Sequence, residues 1–376
     1  MRAVRSTIPS RGAFVVAIAI ALAGAACSKS SAPVAEDAAA SAVVAPPPPV
    51  ETASASASAA KAPPTEDEVE CEGDVCKVGL ISSAAKAELE KQPAFKSKKL
   101  QFRDTSTNDH LKSLSNVPWA TRVSIDGCKQ ISDLSPLAEM KGLKEISADE
   151  AELVTDLTPL AALVDLDKVS VAKTSVESLA PLKALVKLTK LDLSSTKVTD
   201  ASPIAGMTKL TMLGISQVKA KDWWPLQKLT ELKHLDMAQS SLTSTYLLAG
   251  MKHLKKLNLS ASKELKDLSG LRAMTEMETL KLDDCPVSNI LPLAAMLDLH
   301  VLSLAGTKVG SISALSNLNE LRSIDLQRTT VQDFEPLVGS AKTLHYLGLP
   351  KGTTSDQWQS LTEANRKLKP DIAKKR

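Results

Sequence analysis

The chain has 376 residues, with 46 Lys and Arg against 43 Asp and Glu, a net charge of +3 and only 3 % aromatic residues. So even a balance argues against a basic stripe that tracks a phosphate backbone, and nucleic acid is not an expected partner. Scarce aromatics also mean that each exposed one carries weight as a candidate contact.

In chain order, Arg2, Arg5 and Arg11 precede an apolar run from Ala13 to Ala26 that ends in small residues before Cys27. This is the layout of a bacterial secretory signal, here 1–26, and is too short for a membrane span. The stretch Leu22-Ala-Gly-Ala-Ala-Cys27 resembles a lipoprotein cleavage box, although Gly24 stands where such boxes prefer Leu. The resemblance implies that Cys27 is lipidated and becomes the mature N-terminus; the alternative is ordinary cleavage near Ala25 or Ala26. A multiply acylated Cys27 would hold the chain on a membrane stably.

Residues 27–70 turn abruptly to Ala, Ser, Pro and Glu, with Pro46 to Pro49 in a row. Such a segment lacks the apolar surface to offset chain entropy, and a disordered tether is expected. Seven acids there against Lys29 and Lys61 make the tether acidic at −5, and leave the body from residue 71 onward at +5. Its 43 residues after Cys27 span about 35–40 Å root-mean-square as a coil.

Residues 71–119 are expected to form an N-terminal cap. Cys71 and Cys76 have only each other within reach and suit a short-loop disulfide in an exported chain; a metal or redox pair is the competing reading. Residues 82–94 suit a short helix, Leu100-x-Phe102 suits a strand, and Trp119 should fill the seam.

From 120 the chain repeats. Units start at Ala120, Leu143, Leu166, Leu188, Leu210, Leu232, Leu254, Met277, Leu299 and Leu321, ten in all, with steps of 22 or 23. In Leu188-x-x-Leu191-x-Leu193 the last two leucines share one face of an extended segment, with Lys190, Asp192 and Ser194 on the other. Pro stands at the start of the return leg in seven units, Pro203 among them, which favours a turn or short 3-10 segment over a long helix. The residue after that place is apolar in all ten, Leu137 to Leu337. One unit cannot bury this triangle of apolar residues, whereas stacked units bury it continuously. A last strand is expected at 344–349, ending the repeats at 120–349. Residues 350–376 should form a helical cap, opened by Thr354-x-x-Gln357 with Trp358, Leu361, Ala364 and Leu368 on one face, and a basic tail.

The pattern resembles the leucine-rich repeats, specifically the short 22-residue internalin type, over roughly 97–350. The resemblance implies an α/β solenoid: a right-handed coil with a parallel concave sheet and short convex returns, capped at both ends. It also places Asn or Cys three residues after the last strand Leu, where this chain has Cys128, Ala151, Thr174, Thr196, Val218, Ser240, Ser262, Cys285, Thr307 and Thr329. Hydroxyls can replace part of that ladder, but Ala151 and Val218 need water or neighbouring backbone. Cys128 and Cys285 are seven units apart, roughly 34 Å at the strand spacing, and should be buried thiols.

No catalytic constellation accompanies the five histidines, and no cofactor or metal site is expected. Binding is the remaining expectation. The concave face should present Lys168, Lys190, Met212, His234, Lys256 and Thr279 in one column, and Ser170, Asp192, Gly214, Asp236, Asn258 and Lys281 in the next. On the convex side Trp223 falls in a buried column and Trp224 in an outward one, the rival binding position. The sequence therefore points to a non-catalytic, exported scaffold, monomeric and lipid-anchored at the outer membrane or held in the periplasm, that binds another macromolecule, first of all a protein. A structural envelope protein without a specific partner and a carbohydrate-binding module of the cell envelope are the alternatives.

Overall fold

Each unit spends its first residues on strand because its apolar residues alternate there. In the unit that starts at Leu188, Leu191 and Leu193 are buried, Lys190 is exposed and Asp192 is half-buried. The computed structural model describes residues 69–365, 368 and 370–372. The expected signal segment, Cys27, nearly all of the tether and the basic tail lie outside the described residues.

Among the described residues fifteen strands form one sheet in chain order. β1 (Glu70–Glu72) and β2 (Val75–Val78) form an antiparallel hairpin; every later pair is parallel. β3 (Lys99–Phe102) leads into the repeats, whose strands are three residues long, among them β7 (Lys190–Asp192), β8 (Met212–Gly214), β9 (His234–Asp236), β10 (Lys256–Asn258) and β11 (Thr279–Lys281). Pairing extends past each strand: Leu193 N–H reaches Gly214 O at 2.8 Å and Ser195 N–H reaches Ser216 O at 2.8 Å. Each unit thus satisfies its backbone with the next.

The chain leaves the strand through one left-handed residue per unit. Gly127, Glu150, Lys173, Ser195, Gln217, Gln239, Ala261, Asp284, Gly306 and Arg328 all have φ between 55° and 73°. Only two of the ten are Gly, so eight units carry the strain of a side chain in this region. Next comes the column that holds Asn or Cys in the resembled pattern. Thr174, Thr196, Thr307 and Thr329 each donate their hydroxyl to the carbonyl three residues back, at 2.6–2.7 Å. The Cys128 and Cys285 thiols donate to Arg103 O and Leu259 O, both at 3.1 Å, and burial pushes them up to about 12 and about 11. At Ala151 and Val218 the turn closes through backbone alone, N–H to the carbonyl three residues back at 3.2 and 3.3 Å.

The returns are 3-10 segments of three to six residues, such as Ser202–Gly206 with Pro203 in its first turn. They open on a side chain whose role a reading of the apolar pattern does not reveal. Two residues before each 3-10 start, Asp133, Asp156, Ser178, Asp200, Asp222, Ser244, Asp267, Asn289, Ser311 and Asp333 each accept the first 3-10 N–H, at 2.8–3.4 Å. These short polar side chains turn the backbone where Pro alone would only fix φ.

At the N-terminal end Cys71 and Cys76 are disulfide-bonded across the β1–β2 hairpin. α1 (Ser83–Lys91) is capped by Ser82, whose Oγ accepts the Ala85 N–H at 3.2 Å. The Trp119 ring stands edge-on to Phe95 with centroids 4.8 Å apart. Glu70, assigned to the tether by composition, is strand, paired with Lys77, because the hairpin extends to it. The C-terminal end departs further from expectation. Thr354 and Gln357 do form a capping box, but it opens a 3-10 turn (Ser355–Trp358) followed by the short α2 (Gln359–Ala364). Leu368 is buried beyond the helix, not on its face, and Asp371–Ile372 returns as β15 beside β14 (Tyr346–Leu349). A strand, not a helix, therefore covers the last sheet edge.

Candidate functional site: the strand face of the repeats

Sheet register brings the concave candidates together. Lys168, Lys190, Met212, His234, Lys256 and Thr279 are successive cross-strand partners, one per unit, and Ser170, Asp192, Gly214, Asp236, Asn258 and Lys281 follow the same register two residues on. Between β7 and β11 they line a shallow hollow of about 290 Å³, bounded by Asp192, Met212, Gly214, His234, Asp236, Lys256, Asn258, Thr279 and Lys281. Gly214 lines it and leaves room for a neighbouring carboxylate. The place where its side chain would start is held by the Asp192 carboxylate, so a Cβ there would displace that group.

Lys168 and Lys190 stand outside the hollow, and they differ. Lys168 reaches Glu145 at 3.3 Å, and Glu145 also takes Arg122 at 3.3 Å. Lys190 and Lys256 make no ion pair among the described residues, while the neighbouring Lys255 is held by Glu278 at 2.7 Å. Burial holds His234 below its ordinary range, Lys256, Lys190 and Lys255 push the same way, and Glu278 opposes them.

Asp192 and Asp236, in the second concave column, are largely engaged in the fold. Asp192 accepts the Ser194 N–H at 2.9 Å. Asp236 accepts the Ala238 N–H at 3.2 Å, the Ser216 hydroxyl, and the Asn258 amide at 3.1 Å. The same arrangement runs the length of the sheet. Asp126 takes Ser147 Oγ–H at 2.5 Å and Asp149 N–H at 2.9 Å; Asp149 takes Ser170 Oγ–H at 2.6 Å and Ala172 N–H at 2.8 Å; Asp325 takes Gln327 N–H at 2.9 Å. Burial raises Asp149 and Asp325 above the usual carboxylate range.

On the return side Trp223 is buried and Trp224 is 42 % exposed. Trp224 is not alone. Tyr246 opens the next 3-10 segment in the same column and is 71 % exposed, and Leu291 takes that column two units later at 63 %. Sequence reasoning missed Tyr246, though its place 22 residues after Trp224 was a readable signal. Among the described residues no cluster of His, Cys, Asp and Glu could hold a metal, and no helix is long and apolar enough to cross a membrane.

Three-residue parallel strands, a left-handed exit, a buried hydroxyl or thiol column and 3-10 returns, repeated every 22 or 23 residues, leave one assignment. The chain has the leucine-rich-repeat fold of the short internalin type. The internalin InlF of Listeria monocytogenes superposes with a TM-score of 0.66 at 19 % identity, over 77 % of this chain and 88 % of that one. The functional domain of InlJ from the same species gives 0.53 at 20 % identity, covering 63 % of this chain and 53 % of that one. TLR13 in its complex with ssRNA13 gives 0.55 at 15 % identity, covering 80 % and 49 %. The match thus spans about half the length of InlJ and of TLR13. No family model matches the chain, and no curated protein matches it. In this leucine-rich-repeat solenoid the strand face around His234 and the Trp224–Tyr246 turns are two candidate surfaces among the described residues.

Proposed function

We propose that the protein is a non-catalytic, exported scaffold that binds another protein through its concave strand face while Cys27 anchors it to the bacterial envelope. The observation that carries this is the hollow between β7 and β11, rimmed by side chains that make no ion pair among the described residues, on an otherwise self-satisfied sheet. The secretory layout of the N-terminus and the acidic tether support export and a membrane-held position. The tether supplies reach, the caps close both sheet ends, and the body works as a monomer with no cofactor and no nucleic-acid partner.

Crosslinking and pull-down of the full chain from intact envelopes tests the face. Lys190→Glu with Lys256→Glu should weaken partner capture or slow association and leave the melting curve almost unchanged, because rim charges act on encounter and not on the core. Loss of capture with Trp224→Ala and none with the lysine pair would move the interface to the convex turns. Cys27→Ser should release the protein from membranes; retention after a high-salt wash would remove the anchor from the reading.

A further inference from the structure

We infer that the partner presents an extended acidic segment to this groove, with carboxylates along the rail of Lys190, His234 and Lys256. The inference rests on the concave-face reading above and adds the chemistry of what that face takes.

Geometry sets the spacing. Lys190 and Lys256 are three strand steps apart through Met212 and His234, about 14 Å at the separation of hydrogen-bonded strands. An extended chain advances about 6.7 Å per two residues, so side chains at i and i+4 on one face span about 13–14 Å. Acids at those two places meet both lysines at once, and the side chain at i+2 lies over Met212 and His234.

Electrostatics sets the sign. Among the described residues neither lysine of the rail has an ion-pair partner, whereas Lys168 and Lys255 are paired with Glu145 and Glu278. Asp236, on the strand of His234, is occupied by Ala238, Ser216 and Asn258, and Asp192 by Ser194. Against His234, β8 brings Met212 and no titratable group, β10 brings Lys256 with Lys255 before it, and Lys190 and Glu278 act from farther off. The free groove thus disfavours the imidazolium, and a carboxylate laid beside it restores the proton. Binding should take up a proton. Affinity should be highest below the depressed His234 pKa of the free protein and fall as pH rises through the higher value in the complex.

The chain's own acids nearest the body cannot be this segment. Glu66, Asp67 and Glu68 lie within four residues of Glu70, a reach of about 14 Å, whereas β7 is the sixth strand beyond β1, about 29 Å away.

The test titrates the full chain at low salt with a nine-residue peptide of alternating Glu and Ser, and with its Lys–Ser counterpart, by calorimetry at pH 5.5 and 7.5. The acidic peptide should bind, more tightly at pH 5.5 and with proton uptake, and the basic one should not. Lys190→Glu with Lys256→Glu should weaken binding about tenfold or more. His234→Gln should bind with the pH dependence gone. Equal binding of both peptides, or unchanged affinity in the double variant, overturns the inference. So does tighter binding after deletion of residues 30–60, which would make the tether itself the occupant. If the double variant loses its envelope partner while the acidic peptide never binds, the concave reading stands and the acidic one falls. If capture survives in the double variant and the peptide does not bind, both fall.

Discussion

The two polar ladders of this solenoid make the same hydrogen bond in different solvent. On the strand face, Asp149 and Asp325 accept a backbone N–H while half-buried, and burial raises both carboxyls. On the return face, Asp156, Asp200 and Asp267 accept a backbone N–H in the open, and hydrogen bonds from Thr158, Ser202, Ser244 and Ser269 lower all three. Desolvation opposes the charged form and hydrogen bonding favours it, so burial decides which way one motif titrates. The strand ladder holds the turn exits that frame the groove, and the return ladder sets where each 3-10 segment starts.

The largest effect belongs to the core that separates them. Leu193→Ala, at a fully packed position, should cost about 2–5 kcal/mol in denaturant melts, more than any single change in either ladder. A smaller loss than from a ladder aspartate would mean that the sheet depends on its polar rims more than on its leucines.

Between the ladders, Asp149→Ala strands the Ala172 N–H and the Ser170 hydroxyl in a half-buried place and should cost about 1–3 kcal/mol. Asp200→Ala leaves its amide open to water and should cost less. Their pH signatures separate them further. The raised Asp149 contributes stability that is fully present below its unfolded pKa and is lost as pH rises through its folded value, so Asp149→Asn should flatten a decline on the alkaline side of the carboxylate range. The lowered Asp200 contributes stability that is present above its unfolded pKa and is lost as pH falls through its folded value, so Asp200→Asn should flatten an acid-side decline. Parallel profiles for the two variants would erase the distinction.

The smallest effect lies in the exit that joins the faces. Gln239 sits at φ 57° and is exposed. Gln239→Gly should stabilise by a few tenths to about 1 kcal/mol, since relief of the left-handed penalty exceeds the added chain entropy. Destabilisation there would point to an unseen role for the glutamine side chain.

Features set by local rules are the ones legible in the sequence. Strand register was legible because Leu191 and Leu193 alternate with polar neighbours and recur every 22 residues, and the concave columns around His234 came with it. The left-handed column was not, since eight of its ten residues are ordinary ones that a local reading never places there. Tyr246 escaped because Leu247 stands where most units have Pro, which hides the start of that return. The hollow at Gly214 depends on where the Asp192 carboxylate of the preceding strand comes to rest, and no rule within one unit contains that. β15 is two residues long and comes just after Pro370, too short a pattern to register.

The disulfide at the first hairpin has a mechanical side. β1 runs against every other strand, so a pull on the chain at Val69 would, without a crosslink, peel Glu70–Glu72 away from Val75–Val78 one bond at a time. The Cys71–Cys76 bond shorts that loop and delivers the load to the middle of β2, which is tied to β3 along four successive residues. Tension entering from the N-terminal side therefore reaches β2 through a covalent bond, and the hydrogen bonds of the β1–β2 hairpin are relieved of it.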